Sequence, residues 1–422
     1  MIYALILFAV TYVLMLTFTK YRPYIALGSA VVFIATGMLP FDQIFGAIDW
    51  NVLLMIAGTM GLAQLFIDSR MPARLADMIM LKVPNVQMAA VALALFAGII
   101  SAFVDNVATV LMVAPVALAI CKKLKTNPVP FIIGIAVSSN LQGAATLVGD
   151  TTAIMLGSYA DMSFLDFFWY KGRPGIFFAV ELGAIASALI LAWLFRREKD
   201  SIEQRGELTP VTDYVPTVLL VGMIALLISA SFIPVKPDIT NGLICVSLFV
   251  IGMVYTFART RSADAFLGPI KSIDFETIGL LFGLFLVIGG ITNMGVVDAA
   301  AGLLARMGGG NVFVIYTVIV WASVLFSAFI DNIPYVATML PVVTGLASTL
   351  GIDPTLLYFG LLSGATLGGN CTPIGASANI TGIGILRREG YEVKTGDFCR
   401  IGIPFTLAAV IPAYIYFWLL YA

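Results

Sequence analysis

Apolar runs of 17 or more residues recur along this chain, starting with MIYALILFAVTYVLMLTFT, and this recurrence limits the fold more than any other feature. About 20 apolar residues in a helix cross a hydrocarbon core. Backbone amides there must be satisfied internally, so only helices or closed barrels span it. Barrel strands alternate polar and apolar residues, whereas these runs are continuous. The reading is an all-α polytopic membrane protein with the lipid bilayer as its solvent. Composition agrees, with 60% hydrophobic and 11% charged residues against about 25% charged in an average soluble domain. A net charge of −1 argues against nucleic acid as a partner. There is no histidine, and Cys121, Cys245, Cys371 and Cys399 lack CxxC or secretory spacing. A His-based zinc site and a disulfide framework are therefore not expected. No nucleophile–base or metal-ligand set is visible, so neither enzyme activity nor a cofactor is expected. The first run lacks a basic n-region and a small-residue cleavage site, and reads as a retained span.

Two Asp–Asn pairs interrupt this apolar background, Asp105-Asn106 in SAFVDNVATVLMVAP and Asp331-Asn332 in SAFIDNIPYVATMLP. A carboxylate at a membrane-helix centre costs about 2.5–3.5 kcal/mol on insertion scales, so each calls for compensation. Spans are predicted at 2–19, 24–39, 51–69, 129–160, 176–195, 213–232, 239–257, 275–293, 355–386 and 401–421. The stretches 86–121 and 312–348 are too long for single spans, and read as re-entrant hairpins with Asp105 and Asp331 at their tips. Basic residues support this choice. With both hairpins re-entrant, 19 of the 23 Lys and Arg residues fall on one face and only Lys171, Arg173, Lys236 and Arg306 on the other. Basic loops mark the cytoplasmic face, which puts both termini on the non-cytoplasmic side of a cell (inner or plasma) membrane.

An offset of 226 residues relates Asp105 to Asp331, Pro115 to Pro341, Gly143 to Gly369, Thr146 to Thr372 and Gly149 to Gly375. Eight of 17 positions are identical between 101–117 and 327–343. The halves start on opposite faces, so the chain reads as an inverted repeat, the usual build of secondary transporters. The first repeat covers 1–195: scaffold helices 1–69, hairpin 86–121, broken helix 129–160 and helix 176–195. A cytoplasmic linker at 196–212 follows. The second covers 213–422: scaffold helices 213–293, hairpin 312–348, broken helix 355–386 and helix 401–421. About ten transmembrane helices, two re-entrant hairpins and two broken helices result.

The broken helices carry SSNLQGAATLVGDTTA and TLGGNCTPIGASAN. Glycine lets a helix unwind, and the freed carbonyls, hydroxyls and helix N-termini can then hold an ion or an oxygen-rich solute. Four elements converging at the midplane would place Asp105, Asn106, Thr109, Asn140, Gly143, Thr146, Gly149, Asp150, Asp331, Asn332, Gly369, Asn370, Thr372, Ser377 and Asn379 around one substrate- or ion-binding site. The bland alternatives are close helix packing for the small residues and helix capping for the aspartates. No resident metal is expected, although Asp105, Asn106, Asp331 and Asn332 are suited to sodium. No Lys or Arg is predicted at midplane depth. The expected site therefore has carboxylates and no fixed positive charge, which favours protons as coupling ion, with sodium second.

SAFVDNVATVLMVAPV, SAFIDNIPYVATMLPVV and GGNCTPIGASANI resemble the ion transporter superfamily, in particular its ArsB, NhaD and melanosomal P-protein branch. The resemblance extends over both halves. It implies a scaffold domain, a transport domain with two hairpins and two broken helices, a homodimer, and elevator-like alternating access. In the related sodium/dicarboxylate symporters the hairpin tips read Ser-Asn-Thr. Here Asp105-Asn106-Val107 and Asp331-Asn332-Ile333 stand in that place, a departure that disfavours sodium/dicarboxylate symport. The expected function is a proton-coupled exchanger of a small inorganic ion or small molecule. Arsenite or antimonite efflux leads among substrates, and an ATPase partner is expected if arsenite is the cargo. A sodium/proton antiporter is the first alternative and a passive anion channel the second.

Overall fold

The computed structural model describes residues 1–124, 126–197 and 208–422. Most of the predicted linker, 198–207, lies outside the described residues, as does residue 125. The first half opens with α1 (Ile2–Thr17) and α2 (Arg22–Ala35), followed by the short α3 (Ile44–Ala47), then α4 (Trp50–Asp68) and α5 (Met71–Met80). A hairpin comes next, α6 (Val86–Ser101) and α7 (Asn106–Leu124), then α8 (Val129–Gly143), α9 (Thr151–Tyr159) and α10 (Ile176–Leu194). A two-stranded turn, β1 (Trp169–Tyr170) and β2 (Arg173–Pro174), precedes α10.

The second half repeats the order. It runs through α11 (Val215–Ser231), α12 (Thr240–Thr260), α13 (Ala263–Lys271), α14 (Phe275–Asn293) and α15 (Val296–Met307). The second hairpin is α16 (Val312–Ser327) and α17 (Asn332–Leu350), followed by α18 (Thr355–Gly368), α19 (Ser377–Arg388) and α20 (Thr395–Tyr421). Matched start signals set the register. Asn85 accepts the amide of Met88 at the start of α6, and Asn311 accepts Phe313 and Val314 at the start of α16. Asp49 caps α4 through the amide of Val52, and Asp274 caps α14 through the amide of Thr277. Side-chain oxygens at these positions satisfy amides that the helix leaves free.

Among the described residues, six helices are long and apolar enough to cross a membrane, rising to eight if two pairs bent by 117° (Ile2–Thr17 with Thr19–Ala35, and Val296–Met307 with Val312–Ser327) each count as one span. Fewer helices pass this length test than the ten spans predicted. The reason is that α1, α2, α8, α11 and α18, which fall in five of those spans, have 14 to 17 residues, and at 1.5 Å per residue the longest reaches only about 25 Å. Besides the four-residue α3, three helices were not predicted: α5, α13 and α15. Each mixes apolar and charged residues, as in MPARLADMIM, so no apolar window reveals it. The last helix also begins earlier than expected, at Thr395 rather than 401.

The halves interlock. Helix α4 packs along α12 of the other half, and α14 packs along α2. Within each half the first hairpin arm packs on the broken helix, α6 on α8 and α16 on α18, while α10 and α20 pack on each other. These two arm contacts are filled in opposite ways. A Cβ on Gly98 of α6 would lie 2.8 Å from the Gln142 side chain of α8, so glycine on the arm makes room for a large residue on the broken helix. In the second half the glycine is on the broken helix: a Cβ on Gly368 of α18 would lie 2.6 Å from the Val324 Cα of α16.

Candidate functional site

Each hairpin reverses through three non-helical residues, 102–104 and 328–330, and restarts on an aspartate. Asp105 Oδ1 accepts the amides of Val107 and Ala108 at 3.0 and 3.1 Å. Asp331 Oδ1 accepts the amide of Ile333 at 3.1 Å. One oxygen of each carboxylate thus caps the returning arm, leaving the other to face its surroundings. Thr109 is fully buried and its hydroxyl lies 3.4 Å from the Val104 carbonyl, inside the first hairpin rather than at its tip.

The broken helices stop where glycine allows the backbone to touch. A Cβ on Gly149 would lie 2.5 Å from the Gly143 carbonyl oxygen and 2.8 Å from that of Ser101. A Cβ on Gly375 would lie 2.6 Å from the Gly369 carbonyl oxygen and 2.8 Å from that of Ser327. Each break is therefore pressed against its own hairpin. Thr146 donates to the Ala102 carbonyl and Thr372 to the Ala328 carbonyl, clamping both breaks in the same way. The next half-helices, α9 and α19, begin directly after these breaks, at Thr151 and Ser377.

Asparagines join the halves. Asn106 Nδ2 donates to Asn140 Oδ1 at 3.1 Å, and Asn140 Nδ2 donates to the Thr366 carbonyl at 2.7 Å and lies 3.0 Å from Asn370 Oδ1. Asn370 Nδ2 in turn donates to the Val137 carbonyl. Asn379 Nδ2 donates to the Gly369 and Thr372 carbonyls across the second break. Asn140, Asn370 and Asn379 are thus buried ties between backbone segments.

Beside this frame lies a cavity of about 250 Å³. Five of the sequence-predicted residues line it: Asp105, Asn106, Asp150, Asn332 and Ser377. Asp150 also accepts from the Thr152 hydroxyl at 2.8 Å, and Gly149 faces a crevice of about 10 Å³ next to it. Asp331, Thr109, Asn140, Gly143, Thr146, Gly369, Asn370, Thr372 and Asn379 are not on the cavity wall, Asp331 standing next to the lining residue Asn332. Sequence reasoning missed Gln64, Thr151, Ser272, Asp274 and Thr277 on the wall. Asp274 had a usable signal, since Ile273-Asp274-Phe275 echoes Ile48-Asp49-Trp50 of the first half.

The expectation of a site without fixed positive charge is overturned. Arg22 Nη1 lies 3.3 Å from Asp331 Oδ2, with the two side chains 16% and 12% exposed. Arg22 stands at the sharp bend between α1 and α2, and its Nε donates to the Met15 carbonyl at 3.2 Å. The bend brings it inward, whereas straight helices 2–19 and 24–39 would have left it in the aqueous loop between them.

Fold and site together define a polytopic membrane transporter built from two copies of a hairpin-and-broken-helix unit. The chain belongs to the citrate transporter family CitMHS, whose model matches residues 12–358 and 241–422. An uncharacterized transporter of Mycobacterium tuberculosis is 29% identical over 100% of this chain and 99% of its own length. The P protein of Homo sapiens is 29% identical over 74% of this chain and 46% of its own length. The crystal structure of the Alcanivorax borkumensis YdaH transporter aligns with a TM-score of 0.63 at 14% identity, covering 96% of this chain and 97% of that one, a likeness of fold.

Proposed function

We propose that this chain is a proton-coupled secondary transporter working by alternating access in a cell membrane. The observation that carries this reading is a pair of cavities at opposite ends of one seam. The acidic cavity lies where α4 ends and α14 begins, at Met60, Gln64, Asp274 and Thr277. A second cavity, of about 580 Å³, lies where α4 begins and α14 ends, at Asp49, Val52, Thr292 and Asn293. Both are also walled by α9 and α17. Between them lies a crevice of about 10 Å³, lined by Ile56, Met60 and Ile154 among others. Two vestibules joined through so narrow a crevice suit a carrier and disfavour a passive channel. The acidic cavity sits at the end of the seam nearest Arg70, Arg74 and Lys271, the basic face that the positive-inside rule makes cytoplasmic.

Charge orders the cargo. Asp105, Asp150 and Asp274 on one wall repel a free polyanion, by about 4 kcal/mol per like pair at 4 Å and an effective dielectric constant of about 20. A neutral hydroxide such as arsenite, or a cation, enters without that cost. The second reading is a polycarboxylate such as citrate carried with protons or a divalent cation; the family match and the guanidinium of Arg22 favour it. The test is flux in proteoliposomes under imposed proton or sodium gradients, with arsenite, sodium, and citrate with or without magnesium. Saturable uptake of one cargo that follows the proton gradient supports the proposal. Voltage-driven flux without saturation or exchange sinks it.

A further inference from the structure

Arg22 does more than fill a loop. It belongs to α2, whereas Asp331 begins the returning arm of the second hairpin, 309 positions away in sequence. The same segment grips that arm a second time: the Tyr12 hydroxyl of α1 donates to the Pro334 carbonyl at 2.7 Å and touches the Thr338 hydroxyl. The first hairpin differs. The Asp105 carboxylate takes part in no ion pair among the described residues, and its neighbour Asn106 is tied to Asn140 within the broken-helix frame. Around Asp331 the charged groups are Arg22 from α2, Asp274 from α14 and Asp150 at the start of α9, with the Ser377 hydroxyl of α19 beside them. Among the described residues Arg22 is thus the cation paired with this carboxylate.

We propose that Arg22 is a tethered counter-ion for Asp331, holding the second hairpin against the α1–α2 bend until a proton or a cargo cation replaces it on the carboxylate. The cluster holds several carboxylates, and a like-charged group left without a cation is costly at low dielectric. With the site empty, the guanidinium supplies that cation from the protein itself. When the carboxylate is neutralised, the ion pair loses its attraction and the grip on α17 weakens. Arginine suits this role because it stays charged at every working pH. The inference takes its purpose from the transporter reading, but its geometry is testable without a cargo.

The experiment uses the full chain in lipid nanodiscs, with its four cysteines replaced by alanine and spin labels at Tyr24→Cys and Phe329→Cys, both exposed positions flanking the pair. Distance distributions are recorded at pH 8 and pH 5. The expected result is a sharp short-distance peak at pH 8 that R22Q and D331N each lose and R22K keeps. At pH 5 the unmutated pair shifts toward the R22Q distribution, while D331N does not change between the two pH values, which identifies Asp331 as the titrating group. One shared distribution in all variants at both pH values overturns the proposal, as does a pH shift that survives in D331N. R22K, which keeps the charge, reports on folding. Failure of every cargo in the flux panel counts against the proton-coupled reading with those cargoes alone and leaves the distance result to decide this one.

Discussion

The two hairpin tips are the same turn placed in different company. In both, an aspartate oxygen caps the returning arm, and a threonine from the following break clamps the turn, Thr146 on Ala102 and Thr372 on Ala328. Around the first tip the next carboxylate is Asp150, which has only Ala376 as its counterpart in the repeat. Around the second tip stands Arg22, and the residue in its partner's place in the first half carries no such pair. Duplication has therefore kept the backbone chemistry, where capping and clamping leave little freedom, and let the charges drift. The same backbone device supports an acidic site on one side and a neutralised one on the other.

The largest effect that could break this contrast is on flux. Asp105→Asn and Asp331→Asn should each reduce proton-driven uptake in proteoliposomes to background, because amides still cap the arms but no longer take up a proton. Full uptake in either variant would mean that its tip is structural only. Arg22→Gln sharpens the contrast through stability. Losing a hydrogen bond to a charged group costs about 1.5–3 kcal/mol, so its denaturation midpoint in detergent should fall clearly, while Asp105→Asn, which has no ion pair to lose, should shift it less. The glycines test what the halves share. Gly149→Ala and Gly375→Ala both drive a methyl group into carbonyl oxygens, and overpacking of that kind costs about 1–3 kcal/mol. Equal losses are expected, and a harmless variant on one side would show that the two breaks are not pressed alike.

The smallest effect lies outside the membrane. Partial burial pushes the Asp353 carboxyl up, but hydrogen bonds from Lys171 and Thr355 outweigh it and hold the group below the usual carboxylate range. Its stabilisation is therefore present above the ordinary carboxylate pKa and lost as the pH falls through the lowered folded value. Both side chains are about half exposed, so Lys171→Ala should cost under about 1 kcal/mol at pH 7. A larger loss in a denaturation series would make this outer contact between the halves a structural tie.

Much of this arrangement was legible in the sequence because the punctuation is sharp. Asp, Gly, Pro and Asn inside long apolar runs have few structural uses, and their recurrence at a fixed offset marked the hairpin tips and the breaks. The amphipathic α5, α13 and α15 escaped because their charges hide them from a search for apolar windows. Arg22 escaped for another reason. Its role depends on a bend at Phe18–Tyr21 that a run of apolar residues does not announce, and on a partner 309 residues away. Asp274 was within reach, since the cap it makes repeats that of Asp49, but a cap signal alone does not say that the helix start faces a cavity.

The exchange of glycine between Gly98 with Gln142 and Val324 with Gly368 has a consequence for engineering. A chimera that takes its hairpin from one half and its broken helix from the other would meet either two bulky faces or two bare ones. Grafts between the halves should keep their fold only when arm and broken helix travel as one block, so this seam marks the smallest piece of the protein that can be moved.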